Sequence, residues 1–256
     1  MSENTFNITV IMPSLNEEKN IILTVGNTLK AFDDYGISGE VIVVNDGSTD
    51  NTKQLIEKIT IKESRVKLIN HEKPQGIGAS YWDGVDVSKG EIITWLPGDN
   101  ENDPWEIFRY YKLLEHVDII IPFIFNKEAR SLFRNALSFA YRFIINTTFG
   151  VNFNYTNGTV LFRKSLLKEL EHRSYGFFFQ TDILIRTVKK GYLFAEVPYR
   201  LGMRKEGISK AVSFPSLIKV IKGYLRLVKD YYSIKKQNQE NNFALGSQTA
   251  KRREKQ

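Results

Sequence analysis

Four apolar segments of strand length recur in the first hundred residues, and each is followed by a polar or glycine-containing loop. The predicted strands span residues 9–13, 40–44, 65–69 and 91–96, and the helices between them run to about residue 32, over 52–60 and from 75 onward. Apolar runs rich in β-branched residues are typical of strands buried on both faces of a parallel sheet. The alternation therefore predicts an α/β fold, a doubly wound sheet that binds a nucleotide at the carboxyl ends of its strands.

An acidic stretch, Leu-Pro-Gly-Asp-Asn-Glu-Asn-Asp-Pro over residues 96–104, directly follows the fourth predicted strand and precedes a predicted helix over 105–114. Asp99 and Glu101 are candidate metal ligands at this strand end. Hard carboxylate oxygens suit Mg²⁺ or Mn²⁺, which fill their other positions with phosphate oxygens and water. The alternative is an ordinary polar turn, because Pro, Gly, Asn and Asp all favour turns.

Composition excludes several kinds of site and partner. The chain has no cysteine, and its three histidines lack the spacing of a zinc site. The longest apolar run, 119–125, is far shorter than the ~20 residues of a spanning helix, and the first residues do not have the pattern of a signal peptide. A cytoplasmic protein is expected, and its net charge of +7 predicts an anionic partner such as nucleotide phosphates or a membrane surface. No nucleic-acid partner is expected, because the cations are thinly spread.

Four motifs in order resemble those of the family 2 glycosyltransferases, which have the GT-A fold: V-I-M-P-S-L-N-E at 10–17, V-V-N-D-G-S-T-D at 43–50, G-I-G-A at 76–79 and the acidic stretch at 96–104. Looser similarity to the dolichol- and polyprenol-phosphate sugar synthases of that family covers 163–164, 176–180, 182–186, 196–198 and 204–210. The resemblance implies a GT-A-like mixed sheet with helices on both faces. It also implies an inverting, metal-dependent hexosyltransferase that moves a sugar from a nucleotide-diphosphate sugar to a polyprenyl phosphate (dolichyl or undecaprenyl) at the membrane surface.

Two other functions fit the same resemblance. The acceptor can be a sugar hydroxyl, as in polysaccharide or glycolipid synthesis, or another lipid-linked molecule. The chain can also be a nucleotide-sugar-binding subunit without metal, because the family's usual Asp-x-Asp-x-Gln motif has Pro97 in place of its first aspartate and Glu101 in place of its glutamine.

The resemblance assigns roles to single residues. Asp46 would accept a hydrogen bond from a ribose hydroxyl or a base N–H. The other residues assigned to substrate binding are Pro13, Leu15, Glu17, Val44, Gly76, Gln180 and Ser209. Arg204 and Lys210, in a basic segment, would neutralise the leaving diphosphate. Asp99 and Glu101 would hold the metal, and Asp99 also counts as catalytic.

Arg130, Arg134, Ser138 and Arg142 recur every four residues between 126 and 150, within an otherwise apolar stretch. This spacing predicts a helix with one narrow basic stripe. Such a helix is either buried with its arginines directed at phosphates, which makes Arg130 and Arg134 candidate acceptor-binding residues, or lies in a membrane interface. The plainer alternative is a core helix whose arginines pair with acids.

Asp182 occupies a region that supplies a general base in relatives acting on hydroxyl acceptors. A phosphate acceptor needs no base, because it is already ionised near neutral pH. Asp182 is therefore a base, a residue that holds the acceptor loop, or a cap of the helix predicted over 183–190.

The C-terminal part divides into two predicted segments after a glycosyltransferase domain spanning 1–212. Residues 213–233 are predicted to form a basic amphipathic helix that suits an anionic membrane surface, so the protein is expected to associate peripherally with the cytoplasmic membrane face. Residues 234–256, rich in Lys, Gln, Asn and Arg, are predicted to be a disordered basic tail.

Overall fold

The computed structural model describes residues 6–126, 132–201, 214–233 and 242–255. The strands in these ranges are β1 (Ile8–Ser14), β2 (Gly39–Asp46), β3 (Val66–His71), β4 (Ile92–Trp95), β5 (Ile119–Ile124), β6 (Leu161–Arg163) and β7 (Phe194–Tyr199). The helices are α1 (Ile21–Tyr35), α2 (Thr52–Lys62), α3 (Ile77–Val87), α4 (Pro104–Phe108), α5 (Leu132–Phe149), α6 (Lys164–Lys168), α7 (Phe179–Lys190), α8 (Phe214–Tyr232) and α9 (Gln248–Arg253). A 3-10 helix covers Tyr111–Glu115.

The strands form one sheet in the order β3-β2-β1-β4-β6-β5-β7. Strand β6 runs antiparallel to β4 and β5, and the other pairs are parallel. This confirms the predicted α/β fold with a mixed, doubly wound sheet. Because β2, β1 and β4 are parallel neighbours, the loops that follow them meet at one edge of the sheet, where such folds bind ligands.

Helices cover both faces of the sheet and bury two apolar cores. Alternate residues of β1 point to opposite faces, so that Val10 packs in the core with α1 and Ile11 packs in the core with α3. The largest buried side chain on the α3 face is Trp82. This two-sided burial explains why the strands read as continuous apolar runs.

One local prediction is wrong. The single helix expected over 105–114 is divided into α4 and the 3-10 helix, with Asp103 capping α4 through a hydrogen bond from the Trp105 backbone N–H at 2.9 Å. Asn16 is of a residue type that often caps helices, but it does not cap α1. Its side chain instead accepts a hydrogen bond from the Thr49 backbone, and α1 begins only at Ile21.

Residues 242–255 are ordered against the domain, unlike the disordered tail predicted for 234–256. The fully buried Asp118 carboxylate accepts hydrogen bonds from the backbone N–H groups of Gln248 at 2.6 Å and Thr249 at 3.0 Å, at the start of α9. The Phe243 ring packs edge-on against Tyr192. Composition alone predicted disorder, because the residues that hold this segment lie far away in the sequence. The Asp118 carboxylate stabilises the segment, since negative charge is favourable at a helix N-terminus. Residues 234–241 lie outside the described ranges.

In the ranges that the structure describes, none of the helices is both long enough and apolar enough to cross a membrane.

Candidate active site

The end of β2 carries the Asp46 carboxylate, which is only 6% exposed. Its Oδ1 accepts a hydrogen bond from the Gln75 backbone N–H at 2.8 Å and lies 2.8 Å from Nδ1 of His71. Its Oδ2 accepts a hydrogen bond from the Gly76 backbone N–H at 2.9 Å. Asp46 therefore anchors the loop that leads into α3, at the sheet edge where the sequence predicts a nucleoside contact.

His71 is a site residue that the sequence analysis did not identify. It ends β3 and pairs in register with Asp46 on β2. Its other ring nitrogen, Nε2, lies 2.9 Å from Oδ2 of the half-buried Asp83 on α3. A signal was present in the sequence, because Asp46 and His71 each lie two residues beyond the end of a predicted strand in a parallel sheet.

The loop after β1 is joined to the loop after β2 by several hydrogen bonds. Asn16 has a left-handed backbone conformation with φ of 58°. Its Oδ1 accepts from the Thr49 backbone N–H at 2.8 Å, and its own N–H donates to Ser48 Oγ at 2.9 Å. The Glu17 N–H donates to Thr52 Oγ1 at 2.8 Å. These bonds fix the two loops relative to each other before any nucleotide binds.

The other predicted nucleoside-binding residues lie at the same edge. Pro13 and Val44 are partners in the β1–β2 register and are buried. Leu15 and Glu17 are half-buried in the loop that follows. The structure thus brings these four residues to the sheet edge that Asp46 occupies.

The acidic loop after β4 is seated on β1 and α1 through Gly98. The Gly98 N–H donates to the Pro13 carbonyl at 3.1 Å, and its own carbonyl accepts from Thr24 Oγ1 at 3.0 Å. A Cβ at this position would lie 2.3 Å from Ser14 Oγ. A side chain at this position would have to displace the Ser14 hydroxyl, so glycine allows the acidic loop to lie close to β1 and α1.

Asp99 and Glu101 follow this seat and are both half-buried. The Asp99 Oδ1 accepts a hydrogen bond from the Glu101 backbone N–H at 3.1 Å, and Asn100 between them has φ of 57°. The described ranges contain no group of three or more acidic or histidine side chains placed to hold a metal. Two carboxylates fit Mg²⁺ or Mn²⁺ at a diphosphate, since these ions take one or two protein carboxylates and substrate oxygens.

Tyr199, at the end of β7, holds the acidic loop through its hydroxyl group. This role was not predicted from the sequence. Its hydroxyl accepts from the Asp103 backbone N–H at 3.2 Å and donates to Asn102 Oδ1 at 3.2 Å. Burial raises the pKa of its phenol, although the Asp103 N–H acts in the opposite direction. The hydroxyl therefore stays protonated and remains able to donate to the loop.

Gly76 and Gly78 allow the segment before α7 to approach the start of α3. A Cβ on Gly78 would lie 2.5 Å from the Tyr175 backbone, and Gly76 has φ of 103°. The Trp82 ring N–H donates to the Ser174 carbonyl at 3.1 Å across the same contact. The two glycines therefore allow close packing between the start of α3 and the segment before α7. The Gly76 N–H also donates a hydrogen bond to Asp46.

Asp182 is buried between α7 and α8, with 2% of its surface exposed. Its Oδ1 accepts from Arg186 Nε at 3.1 Å, and Arg186 also binds Asp230 of α8 at 2.7 Å. Burial raises the pKa of the Asp182 carboxyl to about 6, while Arg186 acts to lower it. Asp182 does not cap α7, which begins at Phe179. Among the described residues, its Oδ2 and the Oε1 of the nearby Gln180 have no hydrogen-bond partner.

Most polar side chains of helix α5 are half-buried on its inner side, where Ile145 and Phe149 are also buried, whereas its outer side is almost entirely apolar. Arg134 and Ser138 are half-buried, on the side of α5 that contacts α7 one turn later through a Tyr141–Thr181 hydrogen bond of 2.8 Å. Arg142 donates to the Asn154 backbone carbonyl at 2.8 Å, a structural contact that differs from the pairing with acids considered as an alternative. The exposed residues of this helix are Leu132, Phe133, Ala136, Leu137, Phe139, Ala140, Phe143, Ile144 and Thr147.

Four predicted site residues, Arg130, Arg204, Ser209 and Lys210, lie outside the described ranges. Their predicted roles remain predictions.

Comparison with known proteins places these features in a family. Residues 9–171 match the model of the family described as "Glycosyl transferase family 2". The polyprenol monophosphomannose synthase of Mycolicibacterium smegmatis is 28% identical over 220 residues, which cover 78% of this chain and 79% of that protein. The dodecaprenyl-phosphate galacturonate synthase of Rhizobium johnstonii is 26% identical over 168 residues, which cover 64% of this chain and 50% of that protein. This chain therefore matches about half of the second relative's length.

A solved structure shares the fold. The glucosyl-3-phosphoglycerate synthase of Mycobacterium tuberculosis, crystallised with Mn²⁺, UDP and phosphoglyceric acid, superposes with a TM-score of 0.64 at 20% identity. The match covers 87% of this chain and 78% of that chain. At this identity the likeness concerns the fold, and it confirms the GT-A-like architecture expected from the motifs.

Proposed function

This chain belongs to glycosyltransferase family 2, and from that premise we propose that it moves a sugar from a nucleotide-diphosphate sugar to a polyprenyl phosphate at an anionic membrane surface, with inversion at the anomeric carbon. Its general activity, glycosyl transfer, follows from the family. The donor, the lipid acceptor and the membrane are the proposed part.

The outer face of α5 is the observation that carries this proposal. Every exposed residue of that helix is apolar except Thr147, and Phe139 and Phe143 are 60% and 62% exposed. Soluble proteins rarely leave so many adjacent large apolar side chains in water. A lipid bilayer covers such a face, because burying it removes apolar surface from water.

Helix α8 has a second exposed apolar strip, which supports the proposed membrane surface. Its large exposed apolar side chains are Leu217, Ile218, Ile221, Leu225 and Tyr232, and its exposed cations are Lys219, Lys222, Arg226 and Lys229. The two helices are in contact through a Thr148–Tyr224 hydrogen bond of 2.8 Å. An apolar strip beside a basic strip suits the interface of an anionic membrane.

The acceptor phosphate would bind on the inner side of α5. Arg134 and Ser138 combine a cation with a hydroxyl one turn apart, and both chemistries bind phosphate oxygens. A lipid whose chains lie against the outer face of α5 would bring its phosphate to this depth. In this proposal the outer side of α5 would contact lipid chains and its inner side would contact the acceptor phosphate.

The donor diphosphate would lie at the acidic loop, where Asp99 and Glu101 would hold Mg²⁺ or Mn²⁺. When bound, such an ion acts as a Lewis acid on the departing diphosphate. The chain's own contribution is the seat at Gly98 and the support from Tyr199, which fix where the two carboxylates stand. Preorganised charges of this kind lower the barrier without reorganisation during the reaction.

The reaction needs no protein base if the acceptor is a phosphate. An acceptor phosphate oxygen forms a bond to the anomeric carbon on the side opposite the diphosphate. The bond between that carbon and the diphosphate oxygen breaks, and its electron pair leaves with the nucleoside diphosphate. No proton is transferred, which agrees with the buried position of Asp182 beside Arg186.

A sugar-hydroxyl acceptor is the second candidate, and the raised pKa of Asp182 favours it. A carboxyl with a pKa of about 6 has the acidity that suits a general base near neutral pH. Its engagement with Arg186 and its burial against α8 speak for a structural role instead.

Incubation of the protein with labelled UDP- and GDP-sugars and Mn²⁺ tests the proposal. Polyprenyl phosphate in anionic vesicles should become labelled, and a lipid-linked oligosaccharide should not. Labelling of the oligosaccharide alone would contradict the phosphate acceptor. Vesicle flotation at 0.1 M and 1 M salt tests the surface, because salt shortens the Debye length from ≈ 10 Å to ≈ 3 Å. Binding that is absent at low salt would contradict the membrane assignment.

A further inference from the structure

We propose that His71 determines the base specificity of the nucleotide site by limiting how many hydrogen bonds Asp46 can still accept. The inference rests on the proposed role of Asp46 in binding the nucleoside. It goes further by choosing between uracil and guanine, a choice that the sequence motifs leave open.

The Asp46 carboxylate can accept only a limited number of hydrogen bonds. An ionised carboxylate offers about four lone-pair positions, two on each oxygen. Oδ1 faces His71 Nδ1 and the Gln75 N–H, both at 2.8 Å, and Oδ2 faces the Gly76 N–H at 2.9 Å. Among the described residues, this leaves one acceptor position, on Oδ2.

His71 acts as a donor in this arrangement. An ionised carboxylate only accepts, so the ring nitrogen that faces Asp46 carries a hydrogen. Asp83, 2.9 Å from Nε2, fixes the other side of the ring and stops it from turning away. Burial of the ring excludes water that would compete for Oδ1.

A carboxylate with one open position discriminates between bases. Uracil presents a single ring N–H, which one acceptor satisfies, and thymine presents the same edge. Guanine presents a ring N–H and an amino group side by side, which together require both carboxylate oxygens. A guanine at this site would leave one buried donor unpaired, which reduces affinity by roughly tenfold to a hundredfold.

Two amide substitutions separate the two ring nitrogens of His71. The amide nitrogen of asparagine superposes on Nδ1 of histidine, and that of glutamine superposes on Nε2. His71→Asn therefore keeps the donor to Asp46, whereas His71→Gln keeps the contact with Asp83 and frees Oδ1. His71→Ala also frees Oδ1 and serves as the second variant if the glutamine does not fold.

Calorimetric titration of each protein with UDP and with GDP, in the presence of Mn²⁺, tests the inference. We expect the wild type to bind UDP at least about tenfold more tightly than GDP, and His71→Asn to retain this preference. His71→Gln and His71→Ala should lose most of it. His116→Gln, which makes the same change at an exposed histidine, is the matched control and should bind as the wild type does.

The outcomes separate this inference from the proposed function. A wild type that binds UDP, with an unchanged UDP preference in His71→Gln and His71→Ala, overturns the role of His71 alone. Equal weakening of both nucleotides, with unfolding midpoints unchanged, assigns Asp46 to the ribose and also overturns it. A wild type that binds neither nucleotide overturns the proposed function and the inference together.

Discussion

The proposed donor side and the proposed acceptor side of this protein are built in opposite ways. On the donor side, hydrogen bonds between protein groups fix the loops after β1, β2 and β4, as at Asn16 and Gly98. On the acceptor side, α5 and α8 turn large apolar side chains outward, where the described residues do not cover them. The proposed donor loops are held by contacts within the described part of the chain. Under the proposed function a membrane would cover the exposed apolar faces of α5 and α8, which suits an enzyme that takes one substrate from water and the other from a membrane.

The largest expected effect lies on the donor side. Asp99→Asn should reduce turnover on the order of a hundredfold or more, because it removes a charge at the departing diphosphate. Its unfolding midpoint should match that of the wild type, since the amide oxygen can still accept from the Glu101 N–H. Turnover, Mn²⁺ binding and thermal unfolding are the measurements.

Glu101→Gln is the matched control for that change. Its effect should be milder, about tenfold or less, because glutamine is the residue usual in the family's motif. Near-wild-type turnover of Asp99→Asn under limiting Mn²⁺ would refute the metal assignment.

Substitutions on the outer face of α5 should weaken membrane binding without changing nucleotide binding. The double substitution Phe139→Glu/Phe143→Glu should reduce vesicle binding, and turnover on a lipid acceptor, about tenfold or more. It removes aromatic surface that the bilayer would bury, and it adds charge at the membrane interface. Affinity for the nucleotide should not change. Vesicle flotation and nucleotide titration measure the two sides separately.

Ile61→Glu provides the control for an exposed apolar residue elsewhere. Ile61 lies on α2 and is 84% exposed. This substitution should leave flotation and turnover unchanged. If it weakens vesicle binding as much as the α5 substitutions do, then α5 is not a specific membrane-binding face.

A smaller effect on turnover is expected for Asp182→Asn, which tests whether the acceptor is a phosphate or a hydroxyl. With a phosphate acceptor, turnover should fall only a few-fold, through altered positioning of α7 and α8. With a hydroxyl acceptor, loss of a general base would cost 10²–10⁴-fold. A thousandfold loss in a variant that still binds the donor would support the hydroxyl acceptor.

The smallest expected effect is a pH dependence of stability at the same residue. The pKa of Asp182 is raised from 3.8 to about 6 in the folded state, so the folded protein binds the extra proton more tightly than the unfolded chain does. The resulting stability is present below the unfolded pKa and is lost as pH rises through about 6, by on the order of 3 kcal/mol. Asp182→Asn lacks this titration.

Thermal unfolding of both proteins between pH 4 and pH 7.5 measures this difference. The wild type should lose stability relative to Asp182→Asn as the pH rises. A difference that is constant over the range would mean that Asp182 is ionised throughout.

The sequence predicted the positions of the loops after β1, β2 and β4 better than the packing of α5, for physical reasons. The strands before Asp46 and Asp99 are local patterns, and parallel topology brings their ends together without further information. His71 and Tyr199 were missed because their roles depend on partners from other strands. The spacing of Arg134 and Ser138 predicted a stripe on α5, but only packing shows that this stripe faces inward.

The C-terminal segment shows the limit of composition. Its residues are polar and basic, and such a composition alone predicts disorder. A single buried carboxylate, Asp118, offers acceptors to the first backbone N–H groups of α9 and outweighs that tendency. This partner is separated from Thr249 by 131 positions, a distance that no local pattern can bridge.

That separation has a consequence for the order of events during synthesis. At ≈ 5–20 residues per second, a ribosome needs roughly 7–26 s to add the 131 residues from the one after Asp118 up to Thr249. During that time Asp118, just before β5, has Arg163 as its early partner and no backbone donors from α9. The burial of this carboxylate is therefore expected to be completed only after Thr249 has been added, later than the synthesis of both strands that flank β5.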